Sequence, residues 1–183
     1  MIQVKDVVKS FDGNVVLDHI SADFEDGKVN MIIGQSGSGK TVLMKSMIGL
    51  HQIDEGEIVF DTRNGQQNLA GMTEKEVRML HREVGMLFQG AALFDSMTVQ
   101  ENVLFPLEMF SQMDKDEMVE RARFCLTRVN MPERAFGLMP SEISGGMQKR
   151  VAIARAIALN PRYLFCDEPN SGLDPKTSLV IDQ

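Results

Sequence analysis

Residues 32–41, IIGQSGSGKT, combine glycine, lysine and hydroxyl side chains at a spacing suited to binding phosphate. They fit the pattern G-x-x-x-x-G-K-[ST], whose backbone N–H groups surround the phosphates of a nucleotide. In that pattern Lys40 can reach the β- and γ-phosphates, and Thr41 can offer its hydroxyl to Mg²⁺. A plain glycine- and serine-rich connection from a strand to a helix is the alternative. The residues of the predicted phosphate loop are Gly34, Gln35, Ser36, Gly37, Ser38, Gly39, Lys40, Thr41 and Val42.

A pair of carboxylates follows the apolar run YLFC, residues 163–166. In parallel α/β sheets, ligands bind at the carboxyl ends of the strands. We therefore expect Asp167 to hold Mg²⁺ through water and Glu168 to act as a general base on a water that attacks the γ-phosphate. Taken alone, Asp-Glu-Pro is also a common turn after a strand.

The stretch ISGGMQKRVAIARA, residues 143–156, predicts a helix that begins with two glycines. Glycine inside a helix costs about 1 kcal/mol relative to alanine. Ser144 is a natural N-cap, and Gly145 and Gly146 leave the first N–H groups open, so we expect a second anion site here. A nucleotide could be held by both sites of one chain, or by the phosphate loop of one copy and this helix of another.

The elements that carry these residues follow from the hydrophobic pattern. Short strands are predicted within residues 2–33, ending in a buried strand over 29–33, and a helix is predicted from Lys40 to about Gly49. Residues 64–71 are predicted to form a polar loop. Capping boxes at Thr73, Thr98 and Asp114 predict three helices, and Pro106 is expected to kink the second.

This order predicts an α/β fold, with a helical lobe inserted into an α/β core. We expect one domain over 1–183. Residues 1–89 and 160–183 would form the nucleotide-binding core, and 90–159 the helical subdomain.

Composition and charge reduce the number of function classes to consider. The chain has 183 residues and a net charge of −7, which disfavours a nucleic-acid partner. Cys125 and Cys166 lie in apolar patterns and are predicted to be small core residues. There is no signal peptide and no apolar run of about 18 residues, so the chain itself is not expected to enter a membrane.

Five motifs together resemble the ATP-binding cassette (ABC) ATPases. They are the phosphate loop, LFQG with Gln89, SGGMQ at 144–148, DEP, and SGLD at 171–174. The resemblance covers nearly the whole chain and implies ATP and Mg²⁺ as cofactors. It implies a P-loop NTPase core with an antiparallel β subdomain and an inserted helical subdomain, incomplete at its C-terminus. It also implies a head-to-tail homodimer, in which residues 144–146 contact the γ-phosphate held by the partner's Lys40.

The same resemblance assigns further roles. Gln89 would touch Mg²⁺ and the attacking water, and Phe11 would stack on adenine. Asp174 would couple the two nucleotide sites, and Gln148 would lie near the nucleotide. We therefore expect the catalytic residues to be Glu168, Gln89 and Lys40. We expect the metal ligands to be Thr41, Gln89 and Asp167.

One family feature has no counterpart. A switch histidine normally follows a further strand, whereas His19, His51 and His81 all lie far upstream. We therefore expect a truncated chain that binds ATP but hydrolyses it poorly.

The stretch 90–107 closely resembles the ATP-binding subunits of MCE/Mla-type phospholipid transporters. This predicts a bacterial transport ATPase on the cytoplasmic face of the inner membrane, bound to an integral-membrane permease and to an MCE-type lipid-binding protein. The alternatives are an importer of another solute and, further away, a soluble ABC protein in DNA repair, chromosome organisation or translation.

Overall fold

The computed structural model describes residues 1–168 and arranges them in two compact units. The first unit spans Met1–His81, and the second begins at Arg82. The mixed α/β architecture, with an antiparallel sheet and a helical part, confirms the predicted fold class. The finer division at residues 89/90 and 159/160 stays a prediction.

The first unit is built on a four-stranded antiparallel sheet. Its strands are β1 (Ile2–Phe11), β2 (Asn14–Phe24), β3 (Glu55–Thr62) and β4 (Gly65–Asn68). They lie in the order β2-β1-β3-β4. One face of the sheet is apolar and closes the core of this unit with the buried side chains of Ile2, Val4, Val7, Leu17, Ile58 and Phe60.

The expectation of a polar loop over residues 64–71 is wrong for its first half, because β4 pairs with β3 through a tight hairpin. The turn is closed by Thr62, whose hydroxyl donates to the Gly65 carbonyl at 2.8 Å. Gly65 has φ +98°, which glycine adopts without strain. Arg63 and Asn64 are the two turn residues and Gly65 takes the last turn position, where type I turns favour glycine.

The expectation of a buried strand over residues 29–33 is also wrong. Val29, Met31 and Ile33 are 96%, 77% and 85% exposed, and this segment is not in a sheet. The Asn30 side chain instead closes a local turn, accepting from the Glu25 N–H at 3.2 Å and donating to the Glu25 carbonyl at 2.9 Å. An apolar run indicates a preference for burial, but a strand also needs a partner for its backbone groups.

Two helices complete the first unit. α1 (Lys40–Met47) follows the phosphate loop and buries Leu43, Met44 and Met47. α2 (Glu74–Leu80) begins at the predicted capping box, with the Glu76 N–H bonded to the Thr73 side chain.

Over residues 82–168, the second unit pairs two parallel strands and packs three α-helices. The strands are β5 (Val84–Leu87) and β6 (Tyr163–Cys166). The helices are α3 (Val99–Phe110), α4 (Lys115–Arg128) and α5 (Gly145–Ile157). Capping boxes at Thr98 and Asp114 open α3 and α4 as predicted, and α3 continues through Pro106.

The core of the second unit lies between its helices. Cys125 is fully buried there, which confirms the prediction, and burial raises the pKa of its thiol. Cys166 is exposed at the end of β6, so its predicted core position is wrong. Among residues 1–168, β6 pairs with β5 alone, and Leu164 in this strand is likewise 49% exposed. The main buried residues of this helical core are Val99, Val103, Leu107, Ala122, Cys125, Leu126, Val151 and Ala154.

Within residues 1–168, every helix is too short or too polar to cross a membrane.

Candidate nucleotide site

The phosphate loop has the backbone shape that its glycines permit. Gly37 and Gly39 adopt φ values of 80° and 91°, which non-glycine residues rarely reach. The Ser38 N–H donates to the Gln35 carbonyl at 3.2 Å and closes the turn. Gly39 caps α1 without any side-chain acceptor, so no capping side chain occupies the positive end of this helix.

Close packing and a positive φ explain why position 39 needs glycine, whereas at position 34 the nearest atom is a serine hydroxyl that can rotate. A Cβ at Gly34 would lie 2.6 Å from the Ser38 hydroxyl oxygen, and one at Gly39 would lie 3.0 Å from the Val16 carbonyl. The loop therefore keeps its backbone N–H groups close to the surface, where they can surround a phosphate.

Lys40 lies across this loop. Its ammonium donates to the Gly34 carbonyl at 2.9 Å and to the Gln35 carbonyl at 2.8 Å. The positive charge is thus held directly over the loop backbone, where the phosphates of a nucleotide would meet it.

Phe11 ends β1, where an aromatic ring was expected to stack on adenine. Its side chain is 39% exposed. The His51 ring meets it edge-on at 5.4 Å between centroids, and the Lys9 ammonium lies 5.2 Å from its centroid. Lys9 is held by Asp54 at 2.7 Å. The ring is accessible and orientated, and its contact with adenine stays a prediction.

The second unit brings Gln89 and Glu168 together. Gln89 follows β5 and Glu168 follows β6, and the parallel pairing of the two strands puts both residues at one edge. The Gln89 side-chain amide donates to the Glu168 carboxylate at 2.7 Å. Between them, the Asp167 N–H bonds the Leu87 carbonyl at 2.9 Å, and the Asp167 side chain is buried.

Glu168 has a strained backbone, with φ 49°. A left-handed conformation costs a residue with a Cβ about 1–2 kcal/mol, so the surrounding structure must hold it. The residue with this conformation is the one whose carboxylate accepts from Gln89.

The helix α5 begins as predicted. The Ser144 hydroxyl accepts from the Met147 N–H at 3.3 Å, which makes Ser144 the N-cap. A Cβ at Gly145 would meet no heavy atom within 4 Å, so the helix start faces open space. Gln148, which was assigned to the nucleotide, donates its side-chain amide to the Pro140 carbonyl at 2.8 Å. In this structure Gln148 thus fastens the turn that leads into α5.

The predicted Mg²⁺ ligands carry a hydroxyl, an amide and a carboxylate oxygen, which suit a hard cation. Residues 1–168 contain no group of three or more His, Cys, Asp or Glu that could hold a metal unaided. Asp174 lies outside the described residues.

Sequence reasoning missed two residues that shape this site, Arg155 and Asn102. Both bind backbone carbonyls of the segment after Gln89. Arg155 lies in the helix sequence IARA, and no pattern in the sequence predicts that its partners are backbone carbonyls.

The glycine-built phosphate loop in front of α1 and the α/β architecture define a P-loop nucleotide-binding fold. The sequence model of the ABC transporter family matches residues 17–171. The chain belongs to this family, as one of its ATP-binding cassettes.

Individual relatives are named as ATP-binding proteins of transport systems. The methionine import ATP-binding protein MetN of Clostridium tetani is 40% identical over 182 residues, covering 99% of this chain and 55% of that protein. The probable ribonucleotide transport ATP-binding protein mkl of Mycobacterium leprae is 36% identical over 184 residues, covering 100% of this chain and 51% of its own length. The chain thus spans about half the length of these curated relatives.

Solved structures agree on the fold. The dimeric, post-hydrolysis structure of the ATP-binding cassette MJ0796, bound to ADP and Pi, superposes with a TM-score of 0.91 and 32% identity. That match covers 99% of this chain and 79% of the solved one.

Proposed function

We propose that the protein is the ATP-hydrolysing subunit of a membrane importer for a small solute of the amino-acid class. The contact between Gln89 and Glu168 carries the enzymatic part of this proposal. It places an amide and a carboxylate 2.7 Å apart at the ends of neighbouring parallel strands, where such folds bind ligands.

In the proposed reaction, Lys40 and the N–H groups of the phosphate loop bind the triphosphate and fix its orientation. Glu168 accepts a proton from the attacking water, and Gln89 holds that carboxylate and the water in place. Mg²⁺, when bound with the nucleotide by Thr41 and Asp167, would neutralise developing negative charge on the phosphate oxygens.

The arrangement we favour is a homodimer in which Ser144, Gly145 and Gly146 of one copy bind the terminal phosphate held by another. Support comes from the open N-terminus of α5 and from the dimeric MJ0796 cassette described above. In the proposed assembly the dimer binds ATP and contacts an integral-membrane permease. The dimer lies on the cytoplasmic face of the inner membrane.

The proposed cargo rests on the relatives. MetN proteins are named as methionine import subunits, which favours the importer over the phospholipid transporter that residues 90–107 suggested. An MCE-type partner is not supported by those names. The lipid interpretation remains the second candidate because of that stretch alone.

The test uses the full-length protein with its permease in proteoliposomes. We expect Glu168→Gln to lower kcat for ATP by 100-fold or more, in line with the roughly 10²–10⁴-fold share of a general base. Glu120→Gln, on the exposed face of α4, is the matched control and should keep wild-type turnover.

Uptake of labelled L-methionine into the same vesicles should be ATP-dependent and should fail with Glu168→Gln. Transfer of phospholipid without any uptake of methionine would replace the importer with the lipid transporter. Wild-type turnover in Glu168→Gln would reject the proposed enzymatic site.

A further inference from the structure

The segment 88–98, called here the Gln89 loop, leaves β5 through a strained turn. Ala91 and Ala92 have φ values of 61° and 49°, although both carry a Cβ. The Ala91 N–H bonds the Phe88 carbonyl at 3.0 Å and the Ala92 N–H bonds the Gly90 carbonyl at 2.7 Å. Two consecutive left-handed alanines are unfavourable by themselves, so other contacts must hold this turn.

Arg155 of α5 supplies such contacts. Its guanidinium donates to the Ala91 carbonyl at 2.9 Å and to the Ala92 carbonyl at 2.8 Å. It also lies 5.7 Å from the centroid of the Phe94 ring. The planar, forked guanidinium can bind both carbonyls of this turn at once, whereas a lysine ammonium cannot match that geometry.

Asn102 of α3 fastens the far end of the loop. It is fully buried, accepts from the Phe94 N–H at 2.8 Å and donates to the Phe94 and Met97 carbonyls, each at 3.1 Å. The far end of the loop is thus anchored on α3, and the strained turn is anchored on α5.

We propose that Arg155 is a positioning residue, which fixes the turn at Ala91–Ala92 and thereby aims the Gln89 amide at Glu168. This inference rests on the proposed function, since it concerns how the hydrolytic pair is aligned. Arg155 itself touches backbone carbonyls and an aromatic ring, not the carboxylate.

The chain offers a closely matched control in Arg121 of α4. Arg121 donates to the Ala158 carbonyl at 2.9 Å and to the Ile157 carbonyl at 3.0 Å, and it lies 5.4 Å from the Phe124 ring. It thus makes the same kinds of contact in the same unit, but to carbonyls at the C-terminus of α5 and not to the Gln89 loop.

The experiment measures steady-state ATP hydrolysis by the full-length protein. We expect Arg155→Ala to lower kcat by about tenfold or more while KM and the Kd for ATP change less than threefold. Arg155→Lys should stay at least threefold below wild type, because one ammonium cannot replace the fork. Arg121→Ala should keep kcat within threefold of wild type, even if its melting temperature falls as far as that of Arg155→Ala.

A double-mutant cycle separates positioning from general stability. In a Gln89→Ala background, Arg155→Ala should lower kcat by less than twofold, because the residue acts through Gln89. Equal losses with and without Gln89, or wild-type kcat in Arg155→Ala, would overturn the proposal.

Hydrogen exchange supplies a readout that does not need turnover. Arg155→Ala should speed exchange of the Ala91 and Ala92 amides by tenfold or more, and Arg121→Ala should not. If the wild-type protein shows no ATPase activity but Arg155→Ala still speeds amide exchange, the positioning contact stands and the proposed function is rejected. If Arg155→Ala leaves amide exchange unchanged, the contact itself is rejected.

Discussion

At the scale of single residues, the phosphate loop depends on glycines, which carry no Cβ. Gly34 packs so closely on Ser38 that a Cβ would lie 2.6 Å from the Ser38 hydroxyl oxygen but 3.5 Å from the Ser38 Cβ. The obstacle is therefore one oxygen atom, and it can be removed by mutation.

We predict that Gly34→Ala weakens ATP binding by less than about tenfold, because the Ser38 hydroxyl must rotate away from the new methyl group. Adding Ser38→Ala should restore most of the affinity, and Ser38→Ala alone should bind within threefold of wild type. Calorimetric titration with ATP measures all three. If the double variant binds as weakly as Gly34→Ala, the clash with Ser38 is not the cause.

Sequence reasoning performed well for residues whose neighbours are close along the chain. In the phosphate loop, the lysine bonds a carbonyl only six residues away, and at the start of α5 the Met147 N–H bonds Ser144 three residues away. Such local contacts can be predicted from the spacing of residue types. Arg155 and Asn102 were missed since their partners lie far away in sequence, or are carbonyls that any residue has.

At the scale of elements, α3 carries the Gln89 loop, and its start is fixed by a capping box. The Glu101 N–H bonds the Thr98 hydroxyl at 3.2 Å, and the Glu101 carboxylate accepts from the Thr98 N–H at 2.7 Å. The Thr98 N–H and then the Thr98 hydroxyl hold the pKa of Glu101 below its ordinary value of 4.5.

We predict that Thr98→Ala lowers the free energy of unfolding by about 1 kcal/mol, the usual effect of losing such a cap. Because the folded-state pKa of Glu101 is depressed, its stabilisation is present above pH 4.5 and is lost as pH falls through the folded value. The pH dependence of urea unfolding should therefore be shallower in Glu101→Gln. Thr127→Ala, outside any cap, should change stability by less than about 0.5 kcal/mol; a loss equal to that of Thr98→Ala would count against the cap.

Strand prediction was less reliable than helix prediction for a physical reason. Helix starts are set by contacts three residues apart, so Thr73, Thr98 and Asp114 were all found. Strands depend on distant partners, so the apolar run at 29–33 was assigned a sheet that it does not join, while polar β4 was missed.

At the scale of the whole molecule, the proposed reaction needs more than one copy of the chain. The phosphate loop and the Gln89–Glu168 pair are built within the first and second units, respectively, whereas the glycine-tipped start of α5 faces open space. We propose that this open end completes the nucleotide site of a second copy.

The most direct test is the mass of the full-length Glu168→Gln protein at saturating ATP, measured by light scattering. We predict an ATP-dependent dimer, and a monomer when Ser144→Arg is added, although the double variant should still bind ATP within threefold. A monomeric Glu168→Gln protein, or a dimer that forms equally well with arginine at position 144, would contradict the shared nucleotide site.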